Sequence, residues 1–401
     1  MKLATRIAAV TLGAAATITA AQAQISDDVI RIGFITDLSG LYADYDGPGG
    51  AEAIRLAIAD MGGAISGKKI ELLVADHQNK ADLAASKARE WFDTQKLDML
   101  IGGVNSGAAL AMANVAADKK KPYFVVGSGA SALTNEQCTP YTVHYAYDTV
   151  AMARGTAGAI VKSGGKSWYF VTADYAFGNA LQNDASNVVK AAGGTIAGSV
   201  KHPLGASDFS SFLLQAQSSK AQVLALANAG GDTVNAIRTA SEFGIGKTMK
   251  ITGLIIMIND VHALGLKAAQ GLYVTDSWYW NQSPEARAWA RRFFDKMKRM
   301  PSSFQAADDS AALQYLGAVK AIGSDDGDKV MAQLRKTRLN DMYVKGGFVR
   351  GDGLMVHDMH LLQVKTPAQS TEPWDYYQPI ETIKGEAPWT TKAESRCKGW
   401  Q

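Results

Sequence analysis

The chain has 401 residues, 47% of them hydrophobic and 20% charged, with a formal net charge of +3. That length exceeds one ordinary core and fits two domains of the usual ~100–200 residues, while the composition excludes a disordered, collagen-like or coiled-coil chain. The near-neutral balance argues against nucleic acid as a partner, and two cysteines are too few for an iron–sulfur cluster or a cysteine-built zinc site.

Residues 1–23 read as a separate object. Lys2 and Arg6 precede an apolar stretch that ends in Ala21-Gln22-Ala23, a small-x-small site. This is the pattern of a secretory signal peptide cut before Gln24. The apolar part is about fifteen residues, short of the ~20 that a membrane span needs. Removing Lys2 and Arg6 from 41 basic residues leaves 39 against 38 acidic ones, a mature charge of +1. Export to an oxidising compartment makes one Cys138–Cys397 disulfide the reading of the two cysteines, with two free buried thiols as the alternative.

From Val29 onward strands and helices alternate. Strands are expected over 29–35, 70–75, 99–101 and 123–126, with helices over 51–61, 82–95 and 108–117 and a glycine-rich loop over 39–50. A second series follows, with helices over 151–163, 179–191, 209–216 and 233–243. Its strands are expected over 168–172, 195–200, 223–226, 250–252 and 271–275. Helices over 284–299, 305–322 and 328–337 come next, then strands over 347–349 and 361–365 and a Pro/Trp-rich tail. Continuous apolar strands between amphipathic helices predict two parallel α/β sheets, each buried on both faces. In such sheets the loops at the strand carboxyl ends are the natural ligand site.

Catalytic signatures are thin. No G-x-S-x-G elbow, H-E-x-x-H, Walker loop, G-x-G-x-x-G or C-x-x-C is present. His357 and His360, three apart in a β-like stretch, point to opposite faces and read as surface histidines. Asp44-Tyr45-Asp46-Gly47 and Asp325-Asp326-Gly327-Asp328 lack the further ligands of a calcium loop. Arg350-Gly351-Asp352-Gly353 reads as a hairpin turn. Two segments instead combine glycine and serine at strand ends: Gly102-Gly103-Val104-Asn105-Ser106-Gly107 and Gly127-Ser128-Gly129-Ala130-Ser131. Their backbone N–H groups and hydroxyls suit an anion, or Ser106 and Ser131 are ordinary helix caps. Ala173-Asp174-Tyr175-Ala176-Phe177-Gly178 adds two aromatics that either cover an apolar ligand or close the second sheet.

With these segments the chain resembles the periplasmic solute-binding proteins of branched-chain amino acid type transporters. The resemblance runs through Ile32-Gly33-Phe34-Ile35-Thr36-Asp37-Leu38-Ser39-Gly40, the helix opening at Gly50-Ala51 with Gly62-Gly63 after it, and Leu100-Ile101-Gly102-Gly103. It continues through Asp174-Tyr175-Ala176-Phe177-Gly178 and Asp208-Phe209-Ser210. It implies an α/β, two-lobed type I periplasmic binding protein fold, each lobe a parallel-sheet sandwich, with three hinge crossovers near 147–148, 276–277 and 356–358. The expected lobes are 24–147 plus 277–356 and 148–276 plus 357–384, with a tail over 385–401 packed near the hinge and first lobe. The implied function is a periplasmic, non-enzymatic receptor, monomeric and without cofactor or metal, that hands a small carboxylate to the membrane permease of an ABC transporter.

Carried over by position, Ser106 grips the ligand carboxylate with its hydroxyl and N–H, Ser131 shares that role, and the Gly129 carbonyl faces the ligand. Phe177 lies over the ligand from the opposite lobe, with Tyr175 beside it and Tyr42 in the side-chain pocket. Asn105, Tyr147, Asn228 and Ile255 complete the candidate set. Amino-acid binders of the family place a glutamate after the strand near residue 253 to pair with the ligand ammonium. Here Gly253-Leu254-Ile255-Ile256-Met257 has no acid, and none follows until Asp260. An unpaired buried ammonium costs several kcal/mol. The expected ligand is therefore a carboxylate with an apolar or aromatic body. Tyr42-Ala43-Asp44, Tyr145-Ala146-Tyr147-Asp148-Thr149, Trp374-Asp375-Tyr376-Tyr377 and the cysteine pair are similar to the aromatic-acid branch. Trp278, Tyr279 and Trp280 offer either stacking surface for a ring or hinge packing. Branched-chain amino acid binding, or a ligand-presenting sensory role, is the alternative.

Overall fold

A computed structural model describes residues 25–400; the expected signal peptide over 1–23 lies outside the described residues. The first series forms β1 (Val29–Thr36), α1 (Gly47–Asp60), β2 (Ala64–Ile65), β3 (Lys68–Asp76), α2 (Ala81–Thr94), β4 (Met99–Gly102), α3 (Ser106–Asp118), β5 (Tyr123–Val125) and β6 (Thr142–His144). These strands make one sheet in the order β2-β3-β1-β4-β5-β6, parallel except for the short β2. β1 sits inside it with Ile30, Ile32 and Phe34 fully buried, as a central strand covered on both faces requires.

The second series begins with one helical run cut into α4 (Thr149–Met152), a π turn (Ala153–Ala157) and α5 (Gly158–Lys162). Within the π turn a Cβ at Gly155 would lie 2.3 Å from the Thr275 hydroxyl, so glycine lets the turn pass close against Thr275. Then come β7 (Ser167–Ala173), α6 (Ala176–Ala191), β8 (Thr195–His202), α7 (Ser210–Ser218), β9 (Val223–Ala227), α8 (Gly231–Glu242) and β10 (Lys250–Gly253). Their sheet, ordered β10-β9-β7-β8, is parallel throughout. α9 (Ile258–Leu264) and α10 (Leu266–Ala269) were not legible as helices, because residues 251–258 are apolar on every side.

β11 (Tyr273–Asp276) pairs in a separate antiparallel sheet, preceding α11 (Pro284–Met297), α12 (Ser303–Ile322) and α13 (Gly327–Lys336). Each of these helices has a side-chain cap: Ser283 for α11, Ser302 with Gln305 as a capping box for α12, and Asp326 for α13. The box moves the start of α12 ahead of the expected residue 305. β12 (Leu339–Asn340), β13 (Lys345–Val349) and β14 (Met355–Val356) form a small antiparallel sheet that a bridge from Leu354 to His144 joins to the first sheet. The β13–β14 turn is the expected hairpin, with Arg350 clamped on Asp352 and Gly353 at φ +89°. β15 (Met359–Val364) lies between β11 and β16 (Tyr377–Ile383).

His357 is not the expected surface residue. It is buried, with Nδ1 2.7 Å from the Asp358 carbonyl and Nε2 3.1 Å from the Ala146 carbonyl. It thereby ties the segment after β14 to the one after β6. His360 is only half-buried. The segment after β16 then straps across the same region. Trp389 is buried and donates from Nε1 to the His357 carbonyl at 3.1 Å. Arg154, in the π turn, donates to both Glu394 carboxylate oxygens at 2.9 Å. Further on, Cys397 is bonded to Cys138 across 259 residues, and Arg350 stacks 4.0 Å over Trp400. Replacing both cysteines by serine should lower unfolding stability by ~2–4 kcal/mol, the usual worth of a disulfide, measured by denaturant titration of the pair mutant against the oxidised protein.

Candidate functional site

The loops at the carboxyl ends of β1, β4, β5, β6, β7 and β9 converge on a cage of aromatic rings. The longest of them, residues 37–46, is folded around Asp37. That carboxylate accepts the N–H groups of Gly40 (2.7 Å) and Tyr42 (2.9 Å) and the Asn79 amide (2.6 Å). The turn that follows, Tyr45 N–H to Tyr42 carbonyl at 3.0 Å, presents Tyr42 and Tyr45 together with ring centroids 6.2 Å apart. Gly102 and Gly103 both hold positive φ after β4. A Cβ at Gly103 would lie 2.2 Å from the Tyr123 hydroxyl, so only glycine lets the loop bring Val104 to the cage.

Tyr147, from the loop after β6, stacks on Phe304 at 4.9 Å, and Tyr45 meets the Phe304 edge at 5.9 Å. Tyr175 and Phe177 close the cage from the β7–α6 turn, 6.1 Å apart. Hydroxyls bridge the two sides. The Tyr42 and Tyr175 oxygens lie 2.7 Å apart, and Tyr45 donates to the Asp260 carboxylate while accepting the Gly230 N–H at 2.7 Å. Tyr147 donates to the Gly127 carbonyl at 3.1 Å. The gap left among the rings is about 10 Å³, the room of one water. Burial drives the hydroxyls of Tyr42, Tyr45, Tyr147 and Tyr175 well above the usual tyrosine range, so all four act as neutral dipoles.

Four of the expected residues, Tyr42, Tyr147, Tyr175 and Phe177, line this cage. Others stand behind it or apart from it. Asn105, not Ser106, caps α3, accepting the Ala108 N–H at 3.1 Å. Ser106 is buried and accepts the Ser128 hydroxyl at 2.9 Å. Ser131 turns away to donate to Asp184 at 3.0 Å, alongside Thr149 at 2.6 Å. The Gly129 carbonyl accepts the Thr149 N–H at 2.8 Å, and a Cβ at Gly129 would strike the Tyr147 ring at 2.4 Å. Asn228 is locked between His202 (3.0 Å) and Thr233 (2.7 Å), and Ile255 is core. Trp278 and Trp280 are buried away from the cage lining, and their indole N–H groups serve the carbonyls of Met342 and Trp374.

The sequence reading missed Tyr45, Phe304 and Asp260. Tyr45 follows Tyr42 at the spacing of one turn, and the Ser302–Gln305 capping box places Phe304 at the cage end of α12; both signals were available. Asp260 is the first acid after β10, and α9 folds back and buries it against Tyr45. Burial raises its carboxyl to about 7 against the opposing hydrogen bonds from Met257 N–H and Tyr45. A larger cavity of about 530 Å³ lies beside Ser131 and Asp184. Its walls are polar and its arginines are engaged, Arg154 by Glu394 and Arg396 by Glu136, so the cage is the better ligand site. Among the described residues no group of three or more His, Cys, Asp or Glu is arranged to hold a metal.

Two parallel sheets with facing strand ends and an aromatic cage between them define a two-lobed ligand-binding protein. Residues 29–371 match the periplasmic binding protein family, and the chain belongs to it. It is a binding protein and not an enzyme, and the family implies a periplasmic location. A periplasmic binding protein from Burkholderia mallei is 64% identical, with a TM-score of 0.92 over 93% of this chain and 100% of that one. A branched chain amino acid ABC transporter periplasmic ligand-binding protein from Burkholderia xenovorans is 39% identical, with a TM-score of 0.82 over 92% and 99%. A Rhodopseudomonas palustris solute-binding protein in complex with benzoate shares the fold at 21% identity and a TM-score of 0.81 over 92% and 99%. Leu/Ile/Val-binding protein homolog 7 of Brucella abortus is 24% identical over 225 residues, 54% of this chain; the chain spans about half the length of that relative, 56%.

Asp148, Asp276 and Asp260 hold their protons to about 7 and Asp309 to about 8, all through burial. Unfolded aspartate releases its proton near 3.9. The folded state therefore binds more protons than the unfolded state, and stability falls as pH rises towards the folded values. Buried His77, His144 and His357, lowered to about 4, act oppositely but only below the unfolded histidine value near 6.5. The unfolding midpoint in urea should therefore drop between about pH 6.5 and 8, where the aspartates titrate and those histidines are silent.

Proposed function

We propose that the protein is the extracytoplasmic receptor of an ABC uptake system, trapping a small carboxylate with an apolar or aromatic body, of the benzoate or cinnamate kind. One observation carries this reading: six aromatic rings line the cage, and the acid at its wall, Asp260, is covered by Tyr45. Rings favour a planar apolar body. An ammonium would meet no free counter-charge there. The R. palustris protein holds benzoate on the same fold.

In this reading the lobes are residues 24–147 plus 277–356 and 148–276 plus 357–384, with the tail over 385–401 laid on the hinge and first lobe. The crossovers at 147–148, 276–277 and 356–358 bend, the rings part, and ligand enters before closure. Closure follows because the ligand binds the closed state better. The carboxylate is held at the loops after β4 and β5, by Ser106 with Ser128 and neighbouring N–H groups. Ser131 serves closure instead, through Asp184. A cleaved signal peptide delivers the monomer to the periplasm, where the closed form docks on the permease.

Branched-chain amino acid binding is the second reading, because Asp260 becomes a counter-charge for an ammonium if Tyr45 withdraws. A thermal-shift screen separates the two, since a ligand raises stability by mass action, ~2.7 kcal/mol at a hundred times its Kd. Benzoate and cinnamate should raise Tm while leucine and valine leave it unchanged; the reverse result overturns the aromatic-acid reading. Ser106→Ala with Ser128→Ala should weaken the acid that binds by about a hundredfold or more, the loss of two hydrogen bonds to a charged group at ~1.5–3 kcal/mol each, measured by calorimetry. Unchanged affinity removes these serines from the grip.

A further inference from the structure

Tyr45 makes a pair of hydrogen bonds that its cage neighbours do not. Its phenolic oxygen donates to a carboxylate, Asp260, and accepts a backbone N–H, that of Gly230, at 2.7 Å. A phenol is one donor and one acceptor, and this pair of groups satisfies both. Both groups are set rigidly. Asp260 closes the capping box of α9 by accepting the Met257 N–H at 2.8 Å. Gly230 holds φ +60° at the start of α8, where a Cβ would lie 2.8 Å from the Leu41 carbonyl. Among the described residues no Lys or Arg makes an ion pair with Asp260, so its hydrogen-bonding capacity is directed to the N–H and the phenol.

Tyr45 comes from the first-sheet side, whereas Gly230 and Asp260 belong to the second-sheet side. Parting the two sides breaks its bonds and leaves a carboxylate and an N–H aimed at the cage. The 10 Å³ gap admits no ring unless one of the present rings yields. We propose that Asp260 and the Gly230 N–H form a phenol-recognition subsite, which Tyr45 fills in the closed cage and which a hydroxyl on the ligand ring takes over by exchange. The inference rests on the aromatic-acid reading and narrows it: the preferred ligand is an aromatic acid bearing a ring hydroxyl opposite its carboxylate. Tyr42 and Tyr175 give no such subsite, since they satisfy only each other.

The test is the ratio of affinities for para-hydroxybenzoate and benzoate, measured by isothermal titration calorimetry on the whole protein. The wild type should favour the hydroxylated acid by about tenfold, the weight of a buried hydrogen bond, and Asp260→Ala should bring that ratio to within about threefold of unity. Tyr45→Phe removes the internal competitor without touching the α9 cap, so it should raise the ratio; a merely structural lock would not favour the hydroxylated acid in this way. A wild-type ratio near one, a ratio that survives Asp260→Ala, or a ratio that does not rise in Tyr45→Phe each overturns the subsite. If Asp260→Ala does not fold, Tyr45→Phe decides alone. Binding of neither acid overturns the underlying reading and the subsite with it, whereas equal binding of both overturns only the subsite.

Discussion

Parallel pairing is the constraint from which the rest of the structure follows. Strands that run the same way must each return through a helix, so every carboxyl-end loop of a sheet emerges along one edge. Two such sheets in one chain present two such edges, and here they face each other. The cage is built where they meet, from loops after six different strands and the start of α12. No single loop contains the site. Each loop contributes a residue or a short turn, and the sheets fix their relative positions.

The chemistry of that meeting place is set by the cost of burying charge. Nearly every polar group in the cage is a neutral hydroxyl paired with another group, and the acid nearest it is buried enough to hold its proton to about 7. The same economy appears beneath the tyrosine turn. Asp46 and Asp308 are buried side by side against Gly50, where a side chain would strike both carboxyls. Burial raises both, and the Asp46 charge lifts Asp308 further, well above the usual range, while the Asp308 hydrogen bond pulls Asp46 back, so the pair keeps a proton. The Thr36 hydroxyl donates to Asp46 and holds it at the entry of α1. The cage thus stands on a base whose two acids share one proton.

The sheets were legible because their central strands are apolar runs that alternate with helical stretches. The site was legible only in part, for three physical reasons. Residues 251–258 are apolar on all sides, so periodicity could not separate the end of β10 from the start of α9, and Asp260 was left out of reach. Serine hydroxyls bond either ligand or neighbour, and the sequence does not say which; Ser131 turned to Asp184 and Ser106 to Ser128. His357 looked solvent-facing in a β-like stretch, but it is covered by Tyr343 and Trp389 from segments distant in sequence. In each case the deciding neighbour lies across the fold. The aromatics were easier: Tyr42, Tyr147, Tyr175 and Phe177 all follow strand ends, where a large ring has few places to go but the cleft.

The long-range disulfide carries a consequence for how the chain comes into being. Cys138 belongs to the first sheet's loops, and its partner follows 259 residues later. At synthesis rates of ~5–20 residues per second, Cys138 precedes Cys397 by about 13–50 s. Throughout that interval the thiol has no partner in its own chain. In an oxidising compartment, two chains whose tails are still undocked can couple through Cys138, and thiol exchange with Cys397 must release them before the tail can be fastened over Arg154 and His357.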